Sequence, residues 1–156
     1  CKARYADLDN LSFVRAHALR LPFGDGRFDV VVNVEASNAY RDDRAFFGEV
    51  YRVLAPKGVF LYADSRARGK VPDLERLAQE MGLSGRFIDI TGNVVSACEL
   101  DSRRRRALIR TGVPWHYRML LTRRLERYAA VPGSRKFERF RRRDRIYFMA
   151  RMIKSP

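Results

Sequence analysis

The sequence predicts an open α/β fold in which parallel strands alternate with helices and the sheet is wound on both faces. Three observations carry this. Phe28 to Val34 is a β-branched run without polar alternation, the pattern of a central parallel strand buried on both faces. Phe46, Phe47, Val50, Val53 and Leu54 then recur at the spacing of an apolar helix face. Val59 to Ala63 is a second apolar run, set off by the breakers Pro56-Lys57-Gly58.

The elements follow in order. Residues 1–8 read as the end of a helix, with Asp9-Asn10 as its turn, and Leu11 to Arg15 as a short strand. Leu21 to Gly26 is a turn cluster before the Phe28–Val34 strand. Asp42 and Asp43 suit the N-terminus of a helix that runs to about Leu54. The strand Val59–Ala63 ends in Asp64, and Pro72 to Met81 is a helix stopped by Gly82. Arg86 to Ile90 is a further strand. Strands separated by single helices join by right-handed crossovers into a parallel sheet.

Beyond residue 90 the pattern loosens. Thr91 or Asn93 could cap a helix to about Arg110, supported by Glu99–Arg103 and Asp101–Arg105 at i,i+4 spacing. Gly112 and Pro114 end it. A helix over 115–128, a short basic helix from Ser134 to about Arg143, and a last strand from Ile146 to Ile153 complete the chain. The expected organisation is a single domain over 1–156, with an α/β core at 1–90 and a basic helical segment plus final strand at 91–156. The domain is read as incomplete.

The chain has 156 residues, 46% hydrophobic, enough for one real core. No run approaches the roughly 18 apolar residues needed to span a bilayer. Its two cysteines, Cys1 and Cys98, have no metal-ligand spacing, and a reducing cytoplasm is expected. The net charge of +14 is unevenly spread. Residues 1–100 hold 14 Lys/Arg and 14 Asp/Glu, whereas residues 101–156 hold 18 and 4. That basic third favours anionic partners by long-range attraction.

In such sheets ligands sit outside the carboxyl ends of the strands. Glu35, Ser37, Asn38 and Asp64 all fall there.

The ordered segments LPFGDGRFDVVVNVEAS and FFGEVYRVLAPKGVFLYADSR resemble class I S-adenosylmethionine-dependent methyltransferases. With DITGNVVSACELDSRRRRALI and AAVPGSRKFERFRRRDRIYFMARMI, the chain is similar to the phthiotriol and fatty-acid methyltransferase type. The resemblance implies a doubly wound, Rossmann-like sheet of seven strands, the last antiparallel. This chain would supply the C-terminal portion, the third strand onward. The family's glycine-rich loop and the acidic residue after its second strand are not found here. The only GxG is Gly24-Asp25-Gly26, in a turn before a strand. With Cys rather than Met at position 1, the sequence reads as a piece of a longer protein.

The same resemblance implies S-adenosylmethionine as cofactor. His17 and Ala18 stand where the family binds adenine; its usual Asp is replaced by His17, whose neutral ring could accept the adenine amino hydrogen bond. Asn33, Val34 and Glu35 would meet the cofactor's methionine end. Asn38 stands where relatives often carry a histidine base, and as an amide it can orient a hydroxyl but not deprotonate it. Asp64 is the second candidate catalytic residue, positioning or deprotonating an alcohol. His116, in an aromatic patch, reads as a packing residue. No metal is expected.

The expected reaction is methyl transfer to a hydroxyl of a small apolar molecule or lipid, performed by the complete protein. The competing reading is a degenerate domain whose basic third binds RNA or an anionic membrane. Nucleic acid is the less favoured partner, because Phe137, Phe140 and Phe148 read as packing residues rather than stacking platforms. A cytoplasmic protein, touching membranes peripherally through that basic third, fits the composition.

Overall fold

The computed structural model describes residues 2–5 and 7–155. The main elements are β1 (Phe28–Val34), α1 (Asp43–Val53), β2 (Leu54–Ala67), α2 (Val71–Glu80), β3 (Leu83–Ser84), β4 (Ile88–Asp89), α3 (Thr91–Leu100), α4 (Ser102–Gly112), α5 (Arg118–Tyr128), α6 (Arg135–Arg141) and β5 (Arg145–Lys154). The strands form one mixed sheet in the order β1-β2-β5-β3, with β4 also paired to β5. β1 and β2 are parallel, and β5 runs antiparallel to β2, β3 and β4. β3 and β4 therefore run in the direction of β2, and β5 alone is reversed.

Local chemistry explains the boundaries. The Asp42 carboxylate accepts from the Ala45 N–H at 2.9 Å and caps α1. The same device recurs at α6, where the Ser134 hydroxyl accepts from the Phe137 N–H. Pro72 stands in the first turn of α2, where its missing N–H costs nothing. Gly82, at φ +83, turns the chain out of α2.

The sheet has two unequal faces. α1 and α2 cover one with Phe46, Phe47 and Leu74 packed on Phe60, Tyr62, Phe148 and Met152. Phe60 and Tyr62 stack at 5.1 Å, and Phe87 stacks on Phe148 at 4.4 Å. On the other face a smaller cluster of Cys98, Ala130, Phe137 and Phe140 packs with Tyr147. Away from that cluster the second face is bare. Val30, Val32 and Val34 are 50%, 62% and 58% exposed, and Leu61, Met149 and Ile153 beside them are also exposed. The expectation that β1 is buried on both faces is thus corrected: among the described residues it is an edge strand, covered by helices on one face only.

Other expectations shift for identifiable reasons. Leu11–Arg15 forms no strand, because no neighbouring strand offers it a hydrogen-bond ladder, and its side chains are mostly exposed. β2 continues past Asp64 to Ala67, since β5 pairs with it as far as Ala67–Arg145. The expected Arg86–Ile90 strand is reduced to β4, Ile88–Asp89, paired with β5, and a separate short strand, β3, precedes it. The helix expected over 91–110 is two helices broken at Asp101. Neither expected residue caps its start: Thr91 is already helical, and its hydroxyl accepts from the Tyr147 N–H at 2.9 Å. Asp101 binds Arg104 and Arg105. In residues 1–8, Lys2–Tyr5 is a single 3-10 turn, while Cys1 and Ala6 lie outside the described residues.

Candidate active site at the strand ends

The polar residues that follow β1 close around the end of β2. Glu35 adopts φ +50, a left-handed turn that lifts the chain off the sheet while its N–H still donates to Ala63 O at 2.9 Å. The turn drops Ser37 into a fully buried position. Its hydroxyl donates to Asp64 Oδ2 at 2.6 Å and lies 2.6 Å from Tyr62 Oη. Because the single Ser37 proton goes to Asp64, the Tyr62 hydroxyl is the donor in that second bond.

Asp64 is fully buried. Asn38 donates to it twice, from its backbone N–H at 3.0 Å and its Nδ2 at 2.8 Å. Ser65 N–H adds a bond of 2.7 Å, and Arg66 stands 3.3 Å away. Burial alone pushes this carboxyl up, but the hydrogen bonds from Ser37, Asn38 and Ser65 and the Arg66 charge outweigh it and hold it below the usual carboxylate range. Asp64 is thus a tie that fixes the loop after β1 to the end of β2. Its lone pairs face protein donors, and Asn38 is the exposed member of the pair.

The other expected site residues divide. Asn33 points to the helix-covered face, where Nδ2 reaches Tyr40 Oη at 3.4 Å and the buried Oδ1 has no partner among the described residues. Val34 is on the bare face. Glu35 is exposed at the site's edge, and its carboxylate adds to burial in pushing the Tyr147 phenol up. His17 and Ala18 form a separate tight turn, bridged between His17 and Arg20. His17 Nδ1 accepts from the Leu19 N–H at 3.2 Å, so the neutral ring carries its proton on Nε2 and offers a donor outward. The following segment is tied to α1: Glu49 accepts from Leu21 N–H, and Arg52 binds the carbonyls of Leu21 and Phe23. The hydrogen bond from Arg52 holds Glu49 down at about 2. His116 is exposed between Trp115 and Tyr117, against the expectation of packing.

Above Glu35, Asn38 and Ser65 lies a cavity of about 810 Å³, walled on its far side by α5 and α6. A second of about 530 Å³ adjoins it, sharing Glu35, Tyr128 and Lys136, and is lined mainly by apolar residues such as Val94, Phe140 and Met149. The sequence reading missed the cationic wall of the first cavity. Its signal was present in Arg135 and Arg139, which lie four residues apart and so share one face of a Ser134-capped helix. Among the described residues no cluster of His, Cys, Asp and Glu could hold a metal ion, and no helix is long and apolar enough to cross a membrane.

A mixed α/β sheet with one reversed strand and a polar site at the ends of its parallel strands defines the α/β methyltransferase fold. Residues 1–62 match the family described as "Methyltransferase domain". It is 52% identical over 71 residues to a phthiotriol/phenolphthiotriol dimycocerosates methyltransferase of Mycobacterium tuberculosis, covering 46% of this chain and 26% of that protein. It is 46% identical over 76 residues to a fatty-acid O-methyltransferase of Mycolicibacterium smegmatis, covering 49% and 27%. A longer match, 37% over 134 residues, links it to phthiotriol/phenolphthiotriol dimycocerosates methyltransferase 1 of Mycobacterium ulcerans, covering 82% and 48%. The chain therefore spans about a quarter to a half of these relatives' length. Among solved structures, an O-methyltransferase from a Brevibacillus brevis trans-AT PKS multienzyme, in complex with S-adenosyl-L-homocysteine, superposes with TM-score 0.70 at 17% identity, over 99% of this chain and 54% of that one.

Proposed function

We propose that this chain is the acceptor-side part of an S-adenosylmethionine-dependent methyltransferase acting on a hydroxyl of a lipid or small apolar molecule. The observation that carries the reading is the buried Ser37–Asp64–Asn38 tie, which presents the Asn38 amide at a cavity of about 810 Å³. The relatives' names supply the lipid class. The family likeness favours this reading over a nucleic-acid-binding module.

Two features support a larger protein. The β1 edge is unpaired among the described residues, and the valine-rich face beside it is bare. Further strands on that edge, with helices over that face, would give the seven-stranded, doubly wound sheet. The residues present suit the cofactor. The backbone at Asn33 lies near the end of β1, and Val34 and Glu35 stand on its exposed side, where the methionine end would lie. His17 Nε2 would donate to an adenine ring nitrogen, with Ala18 beside it. The cofactor supplies an electrophilic sulfonium methyl group. The protein then has mainly to align the acceptor oxygen in line with it, the hydroxyl proton leaving to solvent as the methyl–oxygen bond forms. Asn38 orients that hydroxyl, and Asp64 acts through Asn38 as a positioning group.

Calorimetric titration of the protein in its full natural length with S-adenosylhomocysteine tests the cofactor reading, and methyl transfer to a long-chain alcohol tests the reaction. Absence of binding would sink both.

A further inference from the structure

The large cavity is unusual in its charge. Arg124, Arg127, Arg135, Lys136, Arg139 and Arg145 line it, against one carboxylate, Glu35. Among the described residues, none of the six cations takes part in a salt bridge, although basic residues nearby such as Arg141 and Arg143 do. Lys136 donates only to the Tyr128 carbonyl, at 3.3 Å. The Arg145 side chain is half-buried and, among the described residues, bonds only to Ser65, through Nε to Oγ at 3.0 Å and Nη2 to the carbonyl at 2.6 Å. Burial, followed by the neighbouring Arg139 and Arg66 charges, pulls the Arg145 guanidinium down from its ordinary value. Six cations crowded in a concave wall with a single carboxylate are mutually repelled, and an anion there relieves the repulsion.

The same cavity also has apolar surface from Leu121 and Leu125, and it meets the apolar second cavity at Glu35, Tyr128 and Lys136. A basic chamber joined to an apolar one matches the shape of an amphiphile.

We propose that the cavity between the strand ends and α5–α6 binds the acidic head, carboxylate or phosphate, of an amphiphile whose chain lies in the adjoining apolar cavity. Arginine recognises either head by paired, charge-assisted hydrogen bonds. The proposal rests on the methyl-transfer reading only in placing the reacting hydroxyl near Asn38. It makes the acceptor a hydroxylated acid rather than a neutral alcohol.

The test is calorimetric titration with decanoate, decyl phosphate and decanol, each below its micellar range, with S-adenosylhomocysteine titrated in parallel. At least one acid is expected to bind roughly tenfold or more tighter than decanol, the scale of charge-assisted hydrogen bonds. The preference should shrink as ionic strength rises from about 0.01 M to about 0.15 M. Whichever acid binds tighter identifies the head. Arg135→Ala/Arg139→Ala, checked for an unchanged thermal unfolding midpoint, should lose the preference, and Arg139→Lys should keep most of it. Equal affinity for acid and alcohol overturns the proposal, as does a preference that survives the double substitution. Binding only to anionic vesicles, with none to the monomeric acids, overturns it in favour of a membrane surface. Acid binding without S-adenosylhomocysteine binding leaves this site standing and removes the methyl-transfer reading; the reverse result removes this site alone.

Discussion

Asn38 donates to both oxygens of Asp64, its side-chain Nδ2 reaching Oδ1 at 2.8 Å and its backbone N–H reaching Oδ2 at 3.0 Å. The loop after β1 is therefore clamped to β2 through a carboxylate that is itself fully buried. Asp64→Asn replaces an acceptor oxygen with a donor NH₂ that must face the existing donors of Ser37, Asn38 or Ser65. The expected loss is about 1–3 kcal/mol, the cost of leaving buried polar groups unsatisfied. Urea unfolding measures it, and an unchanged midpoint would show that the clamp contributes nothing.

A second expectation concerns acid. Asp64 and Glu49 are both held below their ordinary values, Asp64 by hydrogen bonds that outweigh burial and Glu49, at about 2, chiefly by Arg52. Carboxyls depressed in the folded state stabilise it fully above their unfolded values, and that contribution fades as pH falls through the folded ones. For Glu49 the window runs from the ordinary value of 4.5 down to about 2. Stability should thus be flat near neutrality and decline below about pH 4, where unfolded carboxylates protonate. Glu49→Gln should make that decline shallower, read as the urea midpoint against pH. A slope identical to that of the parent protein would refute the assignment.

What could be read from the sequence was local. The Asp42 cap, the Pro72 helix start, the Gly82 stop and the β1 and β5 strands depend on residues close in the chain, and the structure has them. The extension of β2 to Ala67 depends on Arg145, its partner in the sheet, a long-range pairing that no window of sequence contains. The exposure of β1 depends on which neighbours surround it, whereas its Val-rich composition speaks only of what it could bury. At the site, the sequence put Glu35 and Asn38 just past the end of β1, as the structure has them, whereas Asp64 lies within β2 rather than at its end. It did not show that Asp64 is enclosed by donors or that His17 Nδ1 is occupied by Leu19, because both follow from backbone N–H groups that any residue could supply.

The bare valine face carries a third expectation. Val30, Val32 and Val34 stand at half exposure or more on an edge strand, a template for pairing with other chains. The chain in solution should self-associate. Val32→Lys places a charge on that face without touching the packed side of β1, and should cost less than about 0.5 kcal/mol, as surface changes do. Sedimentation velocity should show the substituted chain shifted toward monomer. Equal association in both would move the contact elsewhere.

Gly82 sets the last expectation. It holds φ +83 at the end of α2, and a Cβ there would lie 2.6 Å from Tyr51 Cε2. Two costs add for Gly82→Ala: a left-handed backbone that alanine disfavours, and a ring that must move. Tyr51 is not free to swing far, because Lys154 Nζ sits 4.4 Å over its ring while donating to the Leu54 carbonyl at 2.7 Å. Gly82 O also accepts from Ser155 N–H at 2.8 Å, so the turn joins α2 to the end of β5. The substitution should destabilise by about 1–3 kcal/mol, the range for strain at a special backbone angle. Gly69→Ala is the control, since a Cβ there meets nothing within 4 Å and its φ is not in the left-handed region. Equal urea midpoints for the two variants would mean that neither the angle nor the Tyr51 contact constrains this turn.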